Sequence, residues 1–224
     1  MSTNAATIDS VELARDQMID QQVRAWDVLD PNVLDVMRDV RREWFVPAPY
    51  RQLAFADTAI PLGFGQSMLP PKIDGRILQA LELRRTDLVL DVGTGSGFLG
   101  ACLGRLSGRV RSLEIVPQLA ERASANLLKA AANNVAVEVG DAARLEEVAA
   151  YDAIAVSASL PLYDERFAHA LRVGGRLFVV IGTGPIMEAL KITRTGEREW
   201  RRESLFETVI EPLANAPRPP QFKF

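Results

Sequence analysis

The sequence predicts an α/β fold, a mostly parallel β-sheet with helices on both faces, from three observations. First, the stretch Leu88-Val-Leu-Asp-Val-Gly-Thr-Gly-Ser-Gly97 reads as a buried strand that runs through a glycine turn into an apolar helix over 98–106. Second, short apolar runs alternate with helical patterns from there to residue 181, the signature of βα units. Third, 224 residues of which 48% are hydrophobic and 25% charged are enough for one sizeable globular core.

In chain order, residues 1–10 read as a disordered lead-in, and 11–22 carry a helical pattern through Leu13, Ala14, Met18 and Ile19. Residues 31–40 form a second predicted helix, with Asp30 as N-cap and Pro31 in the first position. Pro47 and Pro49 end this region, because proline cannot continue a helix. Residues 55–71 are punctuated by Gly and Pro yet keep Phe64, Met68 and Leu69, so they read as a lid packed over a site rather than as a linker. A helix over 73–83 leads into the central strand. Strands follow at 109–115, 135–139, 151–156 and 176–181, with helices at 117–132 and 164–171 between them. Two further strands, 189–193 and 205–210, flank a charged turn at 195–202 and are expected to be antiparallel. The Pro-rich end from Ala216 is expected to be extended.

Composition narrows the function. A formal net charge of −3 gives no footprint for nucleic acid. No apolar run approaches the ~20 residues of a membrane span, and the polar N-terminus does not read as a signal peptide. Cys102 and His169 are the only residues of their kinds, which leaves no disulfide and almost no Cys/His metal site. The expectation is a cytoplasmic, metal-independent protein without a nucleic-acid or membrane partner. Cys102 reads as a core thiol, His169 as a helix residue without chemistry, and the charged run 194–203 as a solvated face.

The glycine turn marks a small-molecule site, since ligands in such sheets lie at the carboxyl ends of the strands. Gly95-x-Gly97-x-x-Gly100 satisfies the dinucleotide fingerprint, with Glu114 downstream. The earlier register, Asp91-x-Gly93-x-Gly95-x-Gly97, ends the strand in an acid. A carboxylate there repels a pyrophosphate and suits a ligand that carries an ammonium or sulfonium cation, which favours S-adenosylmethionine over a dinucleotide. Asp91, Glu114 and Asp141 fall at successive strand ends. Glu114 can accept from both hydroxyls of a ribose, Asp141 from the amino group of adenine, and Asp91 can balance the methionine ammonium.

Over residues 12–213 the chain resembles the protein-L-isoaspartate (D-aspartate) O-methyltransferases. The motifs that carry the resemblance are Arg41-Arg-Glu-Trp-Phe-Val-Pro47, Ala54-Phe-Ala-Asp57, Ile60-Pro-Leu-Gly-Phe-Gly-Gln-Ser67, Leu90 to Gly97 and Leu171-Arg-Val-Gly-Gly-Arg-Leu177. The resemblance implies a Rossmann-like S-adenosylmethionine-dependent methyltransferase fold, a mostly parallel seven-stranded sheet flanked by helices with an N-terminal helical extension. It implies one domain over 1–224: helices and lid in 11–85, the core in 86–213 and a tail in 214–224. S-adenosyl-L-methionine is implied to contact Gln66, Ser67, Met68, Asp91, Gly93, Thr94, Gly95, Gly97, Glu114, Ile115, Asp141 and Ala142. The substrate end is assigned to Asp57, Ser67 and Leu69, and the implied partners are isoaspartyl-containing proteins or peptides.

The lid departs from the family pattern. The family's serine that contacts the substrate carboxylate falls on Leu69, and its tyrosine on Phe55, so two hydroxyls are missing. Ser67 and Ser157 are the hydroxyls available to replace them. Two alternatives to isoaspartyl methylation therefore stand: methyl transfer to another carboxylate or hydroxyl acceptor, and a non-catalytic S-adenosylmethionine-binding module.

Overall fold

The computed structural model describes residues 2–219, and the side chains of residues 10–219. Its helices are α1 (Ser2–Met18), α2 (Pro31–Asp39), α3 (Pro71–Leu81), α4 (Phe98–Leu106), α5 (Pro117–Lys129) and α6 (Glu165–Ala170). Its strands are β1 (Ile60–Gly63), β2 (Gln66–Met68), β3 (Leu88–Val92), β4 (Arg109–Glu114), β5 (Val135–Val139), β6 (Tyr151–Leu160), β7 (Leu171–Thr183), β8 (Ile186–Gly196) and β9 (Glu199–Thr208).

Strands β3 to β9 form one seven-stranded sheet in the order β5-β4-β3-β6-β7-β8-β9. The pairs from β5 to β7 are parallel, and β8 and β9 add antiparallel strands at one edge. After β3 the chain builds outward through β4 and β5, then returns to lay β6 on the other side of β3. That reversal is the topological switch point, where the carboxyl ends of β3 and β6 open a crevice.

Alternation along the central strands divides the core between two faces. Val89, Ala153, Ala155, Phe178 and Val180 face one cluster, with α3, α4 and the N-terminal helices. Leu90, Val92, Ile154, Val156, Leu177 and Val179 face the other, with α6. Helix α4 buries every residue but Arg105, and its glycines let it lie close to the sheet. A Cβ at Gly104 would meet Val135 at 2.8 Å. The capping read from the sequence is present: the Asp30 carboxylate accepts from the Asn32 amide at 2.9 Å.

Several boundaries differ from expectation. The lead-in is helical from Ser2, since nothing in residues 2–18 breaks a helix, and α1 passes into a π-turn and a 3-10 turn that end at Trp26. The lid contains a hairpin, β1–β2, whose two turn residues Phe64 and Gly65 both have positive φ, as a two-residue hairpin of the mirror-image class requires. Strand β6 runs four residues past Val156, and β7 absorbs the Gly174-Gly175 pair through a register break. The charged stretch after Thr193 is strand except at 197–198, because an outer antiparallel face tolerates charge. The tail has no regular structure over 216–219, and 220–224 lie outside the described residues.

Candidate functional site

The turn after β3 is shaped by three left-handed glycines, Gly93 (φ 90), Gly95 (φ 54) and Gly97 (φ 86). Only glycine adopts this succession without strain, and its effect is to fold the turn back onto β4, where its amides find partners. The Gly93 amide donates to Leu113 O at 2.9 Å, which ties the turn to β4. The Gly95 amide donates to Glu114 Oε2 at 2.9 Å, and the Val116 amide donates to Glu114 Oε1 at 3.0 Å. Glu114 is thus fixed on both oxygens and only 4% exposed, with its carboxylate at the cavity wall. Ser157, at the switch point, has its hydroxyl 2.9 Å from both Val92 O and Gly93 O.

These groups line a cavity of about 320 Å³. The β2 end of the hairpin supplies Gln66, Ser67 and Leu69. The glycine turn supplies Gly93 and Gly95, and the ends of β4 and β5 supply Glu114, Ile115, Asp141 and Ala142. The far wall is the segment 209–214 that follows β9. This strap is pinned to the end of β6: Ser159 donates its amide to Glu211 O at 2.8 Å, and Leu213 donates to Ser159 O at 2.8 Å. Asn215 donates its side-chain amide to Asp141 Oδ2 at 3.0 Å, while the Ala143 amide occupies Asp141 Oδ1 at 2.9 Å.

Five residues expected at the site do not line this cavity. Asp91 lies inside β3 rather than at its end, fully buried beneath the turn. The Ser112 hydroxyl donates to its Oδ2 at 2.6 Å, and Thr94 therefore donates to Ser112 across 2.6 Å. Asp91 Oδ1 is buried without a partner among the described residues. Burial pushes the Asp91 carboxyl up to about 7, against the Ser112 hydrogen bond and with help from the charges of Glu114 and Asp74. Thr94 is drawn under the turn by the same chain. Met68 turns into the core opposite Ile60. Gly97 caps α4 against Leu127 and Ala123. Asp57 is a half-exposed residue in an ion pair with Lys72 at 2.7 Å.

The strap was not legible as part of the site. Its signal is weak, an apolar Val-Ile-Glu-Pro-Leu run placed where a sheet edge strand ends. Met187 and Ala158, also on the cavity wall, carry no chemistry in the sequence.

A parallel sheet with a glycine turn, a fixed acid after the next strand and a crevice at the switch point defines a nucleotide-cofactor methyltransferase-like site. Among solved structures, a protein-L-isoaspartate O-methyltransferase from Plasmodium falciparum, in complex with S-adenosyl-L-homocysteine, superposes with a TM-score of 0.76 at 19% identity, covering 89% of this chain and 97% of that one. A second protein-L-isoaspartate O-methyltransferase structure gives 0.73 at 20% identity, covering 88% of this chain and 65% of that one. Identities this low establish the fold. The model of the protein-L-isoaspartate(D-aspartate) O-methyltransferase family matches residues 13–216. A protein-L-isoaspartate O-methyltransferase of Rhodopseudomonas palustris is 38% identical over 201 residues, 89% of this chain and 92% of its own. One from Pelobacter propionicus is 37% identical over 215 residues, 95% and 96% of the two chains. The chain belongs to the protein-L-isoaspartate(D-aspartate) O-methyltransferase family.

Among the described residues no helix is long and apolar enough to cross a membrane, and no group of three or more His, Cys, Asp or Glu could hold a metal ion.

Proposed function

We propose that the protein is an S-adenosylmethionine-dependent methyltransferase that methylates the free carboxylate of isoaspartyl residues in damaged proteins or peptides, acting in the cytoplasm and without nucleic acid. The N-terminal helices and lid (11–85) and the core (86–213) serve it as one domain. The observation that carries the reading is Glu114, fixed on both oxygens at the wall of a cavity bounded by the glycine turn and the lid. The cavity fits the cofactor. Glycines at 93 and 95 leave backbone open to it, Ile115 and Ala142 offer apolar walls to a base, and two acids face hydroxyl and amino groups. A carboxylate has roughly four lone-pair sites, so Glu114 and Asp141 can each accept a ligand hydrogen bond beside those they hold.

When bound, the cofactor supplies a methyl group on a sulfonium sulfur, which a carboxylate oxygen displaces in line. The chain's own part is to bind, orient and exclude water. A substrate carboxylate with a pKa near 4 is already ionised at neutral pH, so no side chain has to act as base. On this reading Leu69, Pro70, Met187 and Ile210 form the acceptor end of the cavity and make it apolar, with Ser67 and Ser157 as the hydroxyls on the cavity wall. Holding nucleophile and methyl about 3 Å apart and aligned supplies most of the acceleration.

That apolar acceptor end also favours a second reading, transfer to a different carboxylate or hydroxyl compound. Burying a carboxylate against Leu69 without a donor is costly. Methyl transfer from labelled S-adenosylmethionine to an isoaspartyl peptide, with its aspartyl twin as control, separates the two. Selective transfer is expected, and Leu69→Ser should raise its kcat/KM. Transfer to neither peptide, with cofactor binding intact by calorimetry, would move the assignment to the second reading.

A further inference from the structure

Behind the glycine turn, across the β1–β2 hairpin from the cofactor cavity, lies a second groove of about 380 Å³. Gly95 lines both spaces, and the hairpin's Leu62 forms part of the groove floor. Its charged lining residues are all cations, Arg51, Arg122 and Lys129. None of the three has a carboxylate within ion-pair distance among the described residues, whereas Arg38, Arg42, Arg111, Arg166, Arg172 and Arg176 all do. Arg122 and Lys129 are held instead by aromatic rings and a carbonyl. Arg122 donates to Leu62 O at 3.2 Å and lies 5.6 Å from the ring centre of Phe64, a half-exposed side chain at the hairpin tip. Lys129 stands 4.9 Å from the ring centre of Trp44, which Arg41 approaches to 5.3 Å from its own side.

A groove whose charged lining is wholly cationic stands out in a chain whose formal net charge is −3 and whose cofactor cavity is lined by acids. Arginine and exposed aromatic rings together are the composition of an interface rather than of an average surface. We propose that this groove docks an acidic segment of the polypeptide whose isoaspartyl residue enters the cavity, so that Asp or Glu flanking the damaged residue sets substrate preference. The inference rests on the function proposed above and names its substrate class. The position supports a single chain reaching both places. The hairpin presents Gln66 and Ser67 to the cavity and Leu62 to the groove, and each extended residue advances a bound chain by roughly 3.3 Å. Three cations in one groove beside the reaction turn match a short acidic peptide segment, whereas nucleic acid needs a broader basic track.

The test compares three isoaspartyl peptides with one shared core and Glu-rich, neutral or Lys-rich flanks. For the wild type we expect kcat/KM to be on the order of tenfold higher for the Glu-rich than for the Lys-rich peptide, with the gap closing near 1 M salt as screening shortens to roughly 3 Å. In the double variant Arg51→Glu, Lys129→Glu the preference should reverse or vanish while the neutral peptide keeps its rate; among the described residues neither side chain makes a hydrogen bond. Equal values for all three peptides in the wild type, or a preference that survives the double variant, would overturn the proposal while leaving isoaspartyl methylation standing. Were no isoaspartyl peptide methylated, the proposed function would fail. Anisotropy of a labelled Glu-rich peptide without isoaspartate would then decide the groove alone, with loss of affinity in the double variant supporting it and unchanged affinity overturning it. Displacement of that peptide by a short oligonucleotide at lower concentration than by unlabelled peptide would also overturn the assigned occupant.

Discussion

Glu114 accepts two backbone amides, one from the glycine turn and one from the start of α5, so its carboxylate is the clamp that sets the turn and, in the proposed function, also a ligand group. Glu114→Ala removes both functions and is expected to weaken S-adenosylmethionine binding by ~1–3 kcal/mol, read by calorimetry with circular dichroism as a check on the fold. Wild-type affinity in the variant would refute its role. Asp91 shows the opposite case. The sequence places an acid before the glycines and cannot say which way it points; in the structure it is turned away from the crevice to Ser112, one oxygen orphaned. Its carboxyl is raised to about 7, so between the unfolded value near 3.9 and about 7 the folded state keeps a proton that the unfolded state has lost. Asp91 therefore lowers stability as pH rises through that window. Asp91→Asn should remove this component: in urea unfolding from pH 4.5 to 7.5, wild type should lose stability relative to the variant as pH increases. Parallel curves would contradict the burial argument.

At the scale of elements, the lid is held from below by one buried cation. Arg42 is fully buried, pairs with Asp74 of α3 at 2.7 Å, and donates to Ala54 O at 3.0 Å and to Leu69 O at 2.6 Å. It therefore fixes the backbone of Leu69, whose side chain lines the cavity. Arg42→Ala leaves Asp74 buried and unpaired, and a loss of ~3–5 kcal/mol in urea denaturation is expected. A loss under about 1 kcal/mol, the range of exposed pairs, would show that the lid has other anchors. The strands and helices around the glycine turn were legible to within a few residues, because apolar alternation and βα periodicity are local. Helix α4 matches the expected bounds at both ends, and so does β5. The lid hairpin was not legible, since Gly and Pro punctuate a hairpin and a loop alike, and only the positive φ of Phe64 and Gly65 distinguishes them. The long antiparallel strands β8 and β9 were shortened by their charge, which the sheet tolerates on an outer face.

Across the whole molecule, the site is assembled from segments far apart in sequence: the lid near 66, the turn near 93, the acids at 114 and 141, and the strap at 209–214. The acids and glycines could be found because their chemistry is visible in residue types. The strap could not, because its place over the cavity is set by hydrogen bonds to Ser159 rather than by any pattern of its own. The Asn215–Asp141 hydrogen bond ties the end of the strap to the acid that follows β5. In the proposed function the cofactor lies in this enclosure. A crystal structure with S-adenosylhomocysteine tests it most directly. The ribose hydroxyls are expected on Glu114 and the base between Ile115 and Ala142 beside Asp141. Density for the ligand elsewhere, with Glu114 still turned to its two amides and touching nothing else, would contradict it.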